Sequence, residues 1–234
     1  MFRRPHHQRI GRLLEGLDAD LLAAHHCWFG GGTAIVLEHD EYRESVDVDF
    51  LVSDLSGYRQ LRDVVRKDGF VGLATKDVEV ARQPTADKYG IRGLLVVDGT
   101  RIKVEILHEG RIALDVPGPE RAICGVRTLA PIDQVASKLL ANDDRWADTS
   151  VFSRDLIDLA MMCPDGMALD GGVAKAVEAY GSSVRESLDA AVGRFRDRPH
   201  LLDSCIEALS IDAPRAAVWR DIREVADRVS AILG

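Results

Sequence analysis

The spacing of apolar residues changes character near residue 128, and that change limits the chain to an α+β architecture built in two parts. Ahead of it, short β-type runs alternate with helical patterns. The runs are VDVDFLV (46–52), FVGLA (70–74), DVEVAR (77–82), YGIRGLLVV (89–97) and RIKVEIL (101–107). Asp98-Gly99, between the last two, is a two-residue hairpin signal. A helix is expected over 7–24, with Ile10, Leu13, Leu14 and Leu17 on one face, and an exposed helix over 57–67 ended by Gly69. Behind residue 128 the pattern is helical throughout, and Pro131 suits a helix start. The expectation is a mixed β-sheet with helices on one face over 1–127, then a C-terminal helical bundle over 128–234.

Two features of the first part carry chemistry. Gly30-Gly31-Gly32-Thr33 is a glycine turn entering an apolar helix, and Asp47-Val48-Asp49 lies on the next strand. Residues i and i+2 of a strand share a face, so Asp47 and Asp49 point one way while Val46, Val48 and Phe50 point into the core. Adjacent carboxylates repel unless a cation lies between them, and hard divalent ions such as Mg²⁺ seek such oxygens. Glycine at a helix entry lets backbone N–H groups approach a phosphate. The run lacks the Gly-Lys-Ser/Thr of a P-loop and the spacing of a dinucleotide fingerprint. Glu105, on the polar face of RIKVEIL, is the candidate third carboxylate, with Asp98 and Asp115 as competitors. Two metals about 3.5–4 Å apart at such a site would bridge a triphosphate and an attacking hydroxyl. Ser45 shares the Asp47 face as a nucleotide contact, a target of modification or a plain strand hydroxyl. His25-His26-Cys27 makes no metal site, because adjacent strand residues face opposite ways. His6-His7 falls in a segment expected to be disordered.

Phe29-Gly30-Gly31-Gly32-Thr33-Ala34-Ile35, followed by Arg43-Glu44-Ser45-Val46-Asp47-Val48-Asp49-Phe50, resembles the first motif of the nucleotidyltransferase superfamily. More narrowly it resembles the AbiEii/AbiGii toxin family, with its G-G-T-A-L and R-x-S-x-D-h-D-F patterns. Asp133-Gln134-Val135-Ala136-Ser137-Lys138-Leu139 looks like that family's Lys-bearing helix, and Arg154-Asp155-Leu156-Ile157-Asp158-Leu159 like its R-D-h-h-D-L helix. These motifs run from residue 29 to about 160, and residues 165–234 match none. Thr33 stands where the superfamily commonly has Ser, which keeps the hydroxyl.

The resemblance implies transfer of a nucleoside monophosphate from a nucleoside triphosphate to an acceptor hydroxyl, with release of pyrophosphate. Asp47 and Asp49, with Glu105, would hold Mg²⁺ or Mn²⁺, and Glu105 would be the base for the acceptor. Gly31, Gly32 and Thr33 would meet the phosphates. Lys138 would neutralise triphosphate charge, and Asp155, with Asp158 one turn on, would orient Lys138 or the nucleotide. Of those two, one is expected to function and the other to lie on the helix surface. Arg43 would reach phosphate or pair with Asp47, and Ser45 and Asp158 would touch the nucleotide. The acceptor would be RNA, such as a tRNA end, or a protein, and the chain would be the toxin of a toxin–antitoxin pair with a cognate antitoxin. Two alternatives stand beside this: a small-molecule nucleotidyltransferase of the antibiotic-modifying kind, and a non-catalytic interaction protein with the same fold.

The net charge of −8 argues against a general electrostatic nucleic-acid binder. Its distribution leaves an RNA acceptor open. Residues 38–49 hold six carboxylates against one arginine, while Arg82, Lys88, Arg92, Arg101 and Lys103 fall on nearby strands. No apolar run approaches the ~18 residues that span a bilayer. The start, MFRRPHHQRIGRLL, lacks the apolar core of a secretory leader. Four dispersed cysteines with no CxxC spacing read as reduced thiols of a cytoplasmic protein with no membrane partner.

Overall fold

The computed structural model describes residues 2–76 and 78–234. Contacts divide the chain into two compact units, one of Met1–Glu38 with Ser45–Ala130 and one of His39–Glu44 with Pro131–Gly234. Residues 39–44 therefore belong with the helices, although both flanking segments belong with the sheet. A single cut near 127 does not anticipate this.

The first unit is framed by five strands: β1 (Trp28–Gly30), β2 (Val48–Val52), β3 (Glu79–Ala86), β4 (Gly90–Val97) and β5 (Thr100–His108). Their spatial order is β1-β2-β5-β4-β3, with β2 and β5 parallel and the other neighbours antiparallel. A small pair, β6 (Ala122–Ile123) and β7 (Val126–Arg127), continues to Thr128, which bridges Phe29 of β1.

Alternation decides which face of the sheet is covered. Val48, Phe50 and Val52 of β2 are buried, as are Ile102, Val104 and Ile106 of β5 and Ile91 and Leu95 of β4. They share a core with Ile10, Leu13 and Leu14 of α1 (Pro5–Gly16) and Tyr58, Leu61 and Val65 of α4 (Leu55–Asp68). Each such side chain contributes about 1.5–3 kcal/mol on burial. The hairpin expected at Asp98-Gly99 forms, with φ of 48° and 72° at the two residues as a type I′ turn requires.

Several local expectations are corrected. The helix over 7–24 is broken into α1 and α2 (Ala19–Ala24). Leu17 is extended and bridges Ala74, and the Asp18 carboxylate caps the new helix by accepting from the Leu21 N–H. The strand expected over 70–74 is a 3₁₀ turn, Gly69–Leu73, whose three-residue repeat buries Phe70 and Leu73 together. The helix over 57–67 is amphipathic rather than exposed. Of the strand expected over 77–82, Asp77 lies outside the described residues, and β3 begins at Glu79. The strand expected over 46–52 begins at Val48, and Val46 is 50% exposed instead of in the core. That shortening leaves Asp47 just outside the sheet.

The second unit contains α5 (Pro131–Arg145), α6 (Arg154–Met161), α7 (Gly166–Tyr180), α8 (Ser183–Asp197), α9 (His200–Ala208) and α10 (Arg215–Leu233). α5 packs against α6, α7 and α8. The α5–α7 approach needs Gly172, because a Cβ there would stand 2.4 Å from Val135 Cγ1. Two backbone bonds tie residues 39–44 to this unit, Glu44 N–H to Leu209 O (3.0 Å) and Asp212 N–H to Tyr42 O (2.8 Å). Among the described residues no helix is long and apolar enough to cross a membrane. The cysteines are unpaired, and Cys163 is exposed.

Candidate functional site

Strand register gathers the charged groups of the first unit into one row. Gly30 pairs with Asp49, Asp49 with Glu105, and Glu105 with Arg92. Paired residues on neighbouring strands project to the same face, so Asp49, Glu105 and Arg92 stand side by side on the face opposite the core. Lys103, two residues before Glu105, joins them. Glu105 Oε1 accepts from Arg92 Nε at 2.9 Å, and Oε2 accepts from the Lys103 ammonium. Burial alone would lower the Lys103 pKa, but the Glu105 bond and charge and the charges of Asp47 and Asp49 outweigh it and raise it. Lys103 is thus ion-paired with Glu105 and lies in the field of Asp47 and Asp49.

Asp49 lies against the glycine turn. Gly31 has φ of +67°, and a Cβ on it would be 2.6 Å from Asp49 Oδ2. The turn therefore needs glycine both for its backbone and for its clearance. Gly31 also begins α3 (Gly31–Glu38), whose first N–H groups lack helical acceptors.

Residues 45–47 lead into β2 without strand partners, and side chains of α1 and α3 hold them. Thr33 is buried, and its hydroxyl donates to the Asp47 carbonyl. With its single proton so used, Thr33 Oγ1 accepts from the Ser45 hydroxyl at 2.7 Å. The Ser45 N–H donates to His7 Nε2 at 3.1 Å, and His6 Nε2 donates to the Val46 carbonyl at 3.0 Å. In this structure Thr33 and Ser45 bond each other and the segment carrying Asp47, so their hydroxyls are spent on protein groups rather than presented to a phosphate. His6 and His7 overturn the expectation of a disordered start: both belong to α1, and His7 is fully buried.

A second cluster lies in the helical unit. Asp158 accepts from Tyr42 Oη (2.6 Å), Arg43 Nε (2.7 Å), Arg43 Nη2 (2.9 Å) and Lys138 Nζ (2.6 Å). Asp155 accepts from Lys138 Nζ (3.0 Å), Arg145 Nε (2.6 Å) and Arg145 Nη2 (2.9 Å). Burial alone would raise both acids. At Asp155 it is outweighed by the Lys138 charge and the Arg145 bond and charge, and at Asp158 by the Arg43 and Lys138 charges, so each is held below the usual carboxylate range. Burial and the Asp158 charge push the Tyr42 phenol well up.

Three expectations change here. Neither aspartate is a helix-surface residue, since both are buried. The roughly four acceptor positions of Asp158, expected to touch a nucleotide, are filled in this structure by Tyr42, Arg43 and Lys138. Arg43 pairs with Asp158 and not with Asp47.

Gly31, Asp47, Asp49 and Glu105 thus gather in the first unit, and Arg43, Lys138, Asp155 and Asp158 in the second. Sequence reasoning did not find the supporting roles of His6, His7, Lys103, Arg92, Tyr42 and Arg145. Among the described residues no group of three or more His, Cys, Asp or Glu side chains is arranged to hold a metal ion. Glu105 is drawn to Arg92 and Lys103 instead.

The profile of the family described as "Nucleotidyl transferase AbiEii toxin, Type IV TA system" matches residues 12–228. Two crystal structures from Helicobacter pylori share the fold. One, of a "putative nucleotidyltransferase", has a TM-score of 0.53 at 15% identity, covering 97% of this chain and 92% of the other. The second, of JHP933, has a TM-score of 0.55 at 13% identity, covering 99% and 93%. No curated protein matches the chain. Because the family profile spans nearly the whole sequence, the chain belongs to the AbiEii nucleotidyltransferase toxin family.

Proposed function

We propose that the chain transfers a nucleoside monophosphate from a nucleoside triphosphate to a hydroxyl of an RNA, such as a tRNA end, or of a protein, using a divalent cation held by Asp47 and Asp49. One observation carries the reading: the Asp49 carboxylate lies against Gly31 at the head of α3 and in register with Glu105. That arrangement joins an acidic pair to a helix entry suited to phosphate.

The donor set fits Mg²⁺ or Mn²⁺. Such ions take one or two carboxylates and complete their shell from substrate phosphates and water, so a preformed cage of three acids is not required. When bound, the cation offsets charge on the triphosphate and on the departing pyrophosphate. The chain's own groups do the rest. First-turn N–H groups at Gly31 and Gly32 receive phosphate oxygens, and the Thr33 hydroxyl keeps the Asp47 carbonyl in place. Glu105 acts as third carboxylate and takes the acceptor proton, with Arg92 and Lys103 setting its position. The acceptor oxygen bonds to the α-phosphorus, and the α–β bridging bond breaks.

Arg92, Arg101 and Lys103 share the sheet face of Asp49 and Glu105, which favours a polyanionic acceptor. The family's type IV assignment supports a toxin role with an antitoxin partner. The test is incubation with each labelled nucleoside triphosphate, with total RNA and protein, with and without chelator. Metal-dependent label on RNA or protein is the expected result. Label appearing only on small molecules would move the assignment to the antibiotic-modifying class. No metal-dependent nucleotide binding or transfer would favour a non-catalytic protein.

A further inference from the structure

We propose that His7 is a positioning residue for Asp47 and Asp49, acting through the backbone of Ser45. The proposal rests on the metal-binding role of those aspartates and extends it to a residue far from them in sequence.

Three facts carry it. First, residues 45–47 have no strand partner, because β2 begins at Val48. Extended backbone without a ladder is held only by what side chains supply. Second, every residue of the segment is gripped: Ser45 by His7 and Thr33, Val46 by His6, and Asp47 by Thr33. Third, His7 is fully buried on α1, and its Nε2 must be the acceptor, since the Ser45 amide can only donate. Its proton therefore sits on Nδ1. Its neighbour has the opposite polarity, because His6 Nε2 faces a carbonyl and must donate. The two histidines form a clamp with one acceptor and one donor, holding the Ser45 amide and the Val46 carbonyl of the two residues before Asp47.

The consequence for function is geometric. A metal held by two short carboxylates tolerates little displacement, and a misplacement of about 1 Å at a reacting centre costs on the order of 100-fold in rate. If His7 sets where the segment enters β2, removing its acceptor shifts Asp47 without touching substrate.

The test uses the full chain and two variants. His7→Leu fills the volume without an acceptor, while His7→Gln places an amide oxygen near the lost Nε2. Far-UV circular dichroism and thermal melting establish that each is folded. The expected result is a kcat about 10- to 100-fold lower in His7→Leu, with KM for the nucleoside triphosphate within about threefold, and kcat restored to within about threefold in His7→Gln. Titration with Mn²⁺ and nucleotide, followed by electron paramagnetic resonance, should show the same order of affinities. A His7→Leu variant with wild-type kcat and Mn²⁺ affinity would overturn the proposal. So would equal impairment in both variants, because packing rather than the acceptor would then matter.

A separate measurement covers a variant that does not fold or a chain without transfer activity. In ¹⁵N-labelled wild-type protein, scalar coupling across the hydrogen bond between the Ser45 amide nitrogen and His7 Nε2 should be present. Its absence overturns the clamp. Its presence in a chain without metal-dependent transfer would instead sink the assigned function and leave the clamp standing.

Discussion

Asp49 and Glu105 stand directly opposite each other on the parallel pair β2–β5, yet they have different surroundings. Asp49 lies against Gly31, and Glu105 is bound by Arg92 and Lys103. Two carboxylates in register would repel. Lys103, ion-paired with Glu105 and raised in pKa by Glu105, Asp47 and Asp49, offsets that repulsion. The row is already arranged around positive charge.

Glu105 can be separated from its structural surroundings. Its partners Arg92 and Lys103 are partly exposed, and ion pairs of that kind contribute about 0–1 kcal/mol. Glu105→Gln should therefore change the unfolding midpoint little while lowering transfer at least about 10-fold. A melt and a transfer assay on the same preparation check this. Full activity in Glu105→Gln would remove Glu105 from the catalytic role; Asp98 does not replace it, since it lies in the β4–β5 turn and pairs with Arg12.

Gly31→Ala should damage both fold and site. The substitution places a Cβ at positive φ and drives it against Asp49 Oδ2. The backbone cost is about 1–2 kcal/mol, and Asp49 must turn away to relieve the clash. We expect a lower melting temperature together with weakened metal-dependent nucleotide binding, measured by calorimetry. Unchanged binding would show that Asp49 has room to move.

The Arg43–Asp158 pair holds residues 39–44 in the helical unit. Asp158→Ala would strand Arg43 as a buried charge and leave Lys138 with Asp155 alone, and breaking a buried pair typically costs about 3–5 kcal/mol. Chemical denaturation should show that loss. Arg43→Met, which leaves Asp158 with Lys138 and Tyr42, should cost less. Equal and small losses in both variants would mean that the network is not tightly formed.

The same network sets an acid limit. Asp155 and Asp158 titrate lower when folded than when unfolded, where about 3.9 is usual. Between those values the unfolded chain binds more protons, so stability rises with pH. Their contribution is fully present above about pH 4 and is lost as pH falls through the folded values. Urea midpoints measured downward from pH 6 should hold and then drop steeply below about pH 4, with a shallower drop in Asp158→Asn.

How far the sequence carried the account depends on the range of the interactions. The hairpin at Asp98-Gly99, the helices after Pro131 and the shared face of β5 follow from local rules of turn and period, and these forms are present. The break at Asp18 was missed because the apolar spacing runs on through residue 22 while a cap decides the geometry. Phe70 and Leu73 resemble a strand by composition but obey a three-residue repeat. Asp155 and Asp158 were visible as a motif, and their burial was not, because the compensating cations come from Arg43, Lys138 and Arg145. His7 had no signal at all: its partner Ser45 is 38 residues away, and a pair of histidines near a terminus carries no periodicity.

The central claim is that Asp49 holds a cation required for nucleotide transfer. The most direct measurement is the initial rate of pyrophosphate release, with nucleoside triphosphate, acceptor and Mg²⁺, for wild type and Asp49→Asn. This near-isosteric change removes the charge while leaving the packing against Gly31. The account predicts a fall of about a thousandfold or more with the melting temperature kept, equivalent to the several kcal/mol a bound cation supplies. An Asp49→Asn protein that released pyrophosphate at the wild-type rate, still inhibited by chelator, would contradict it.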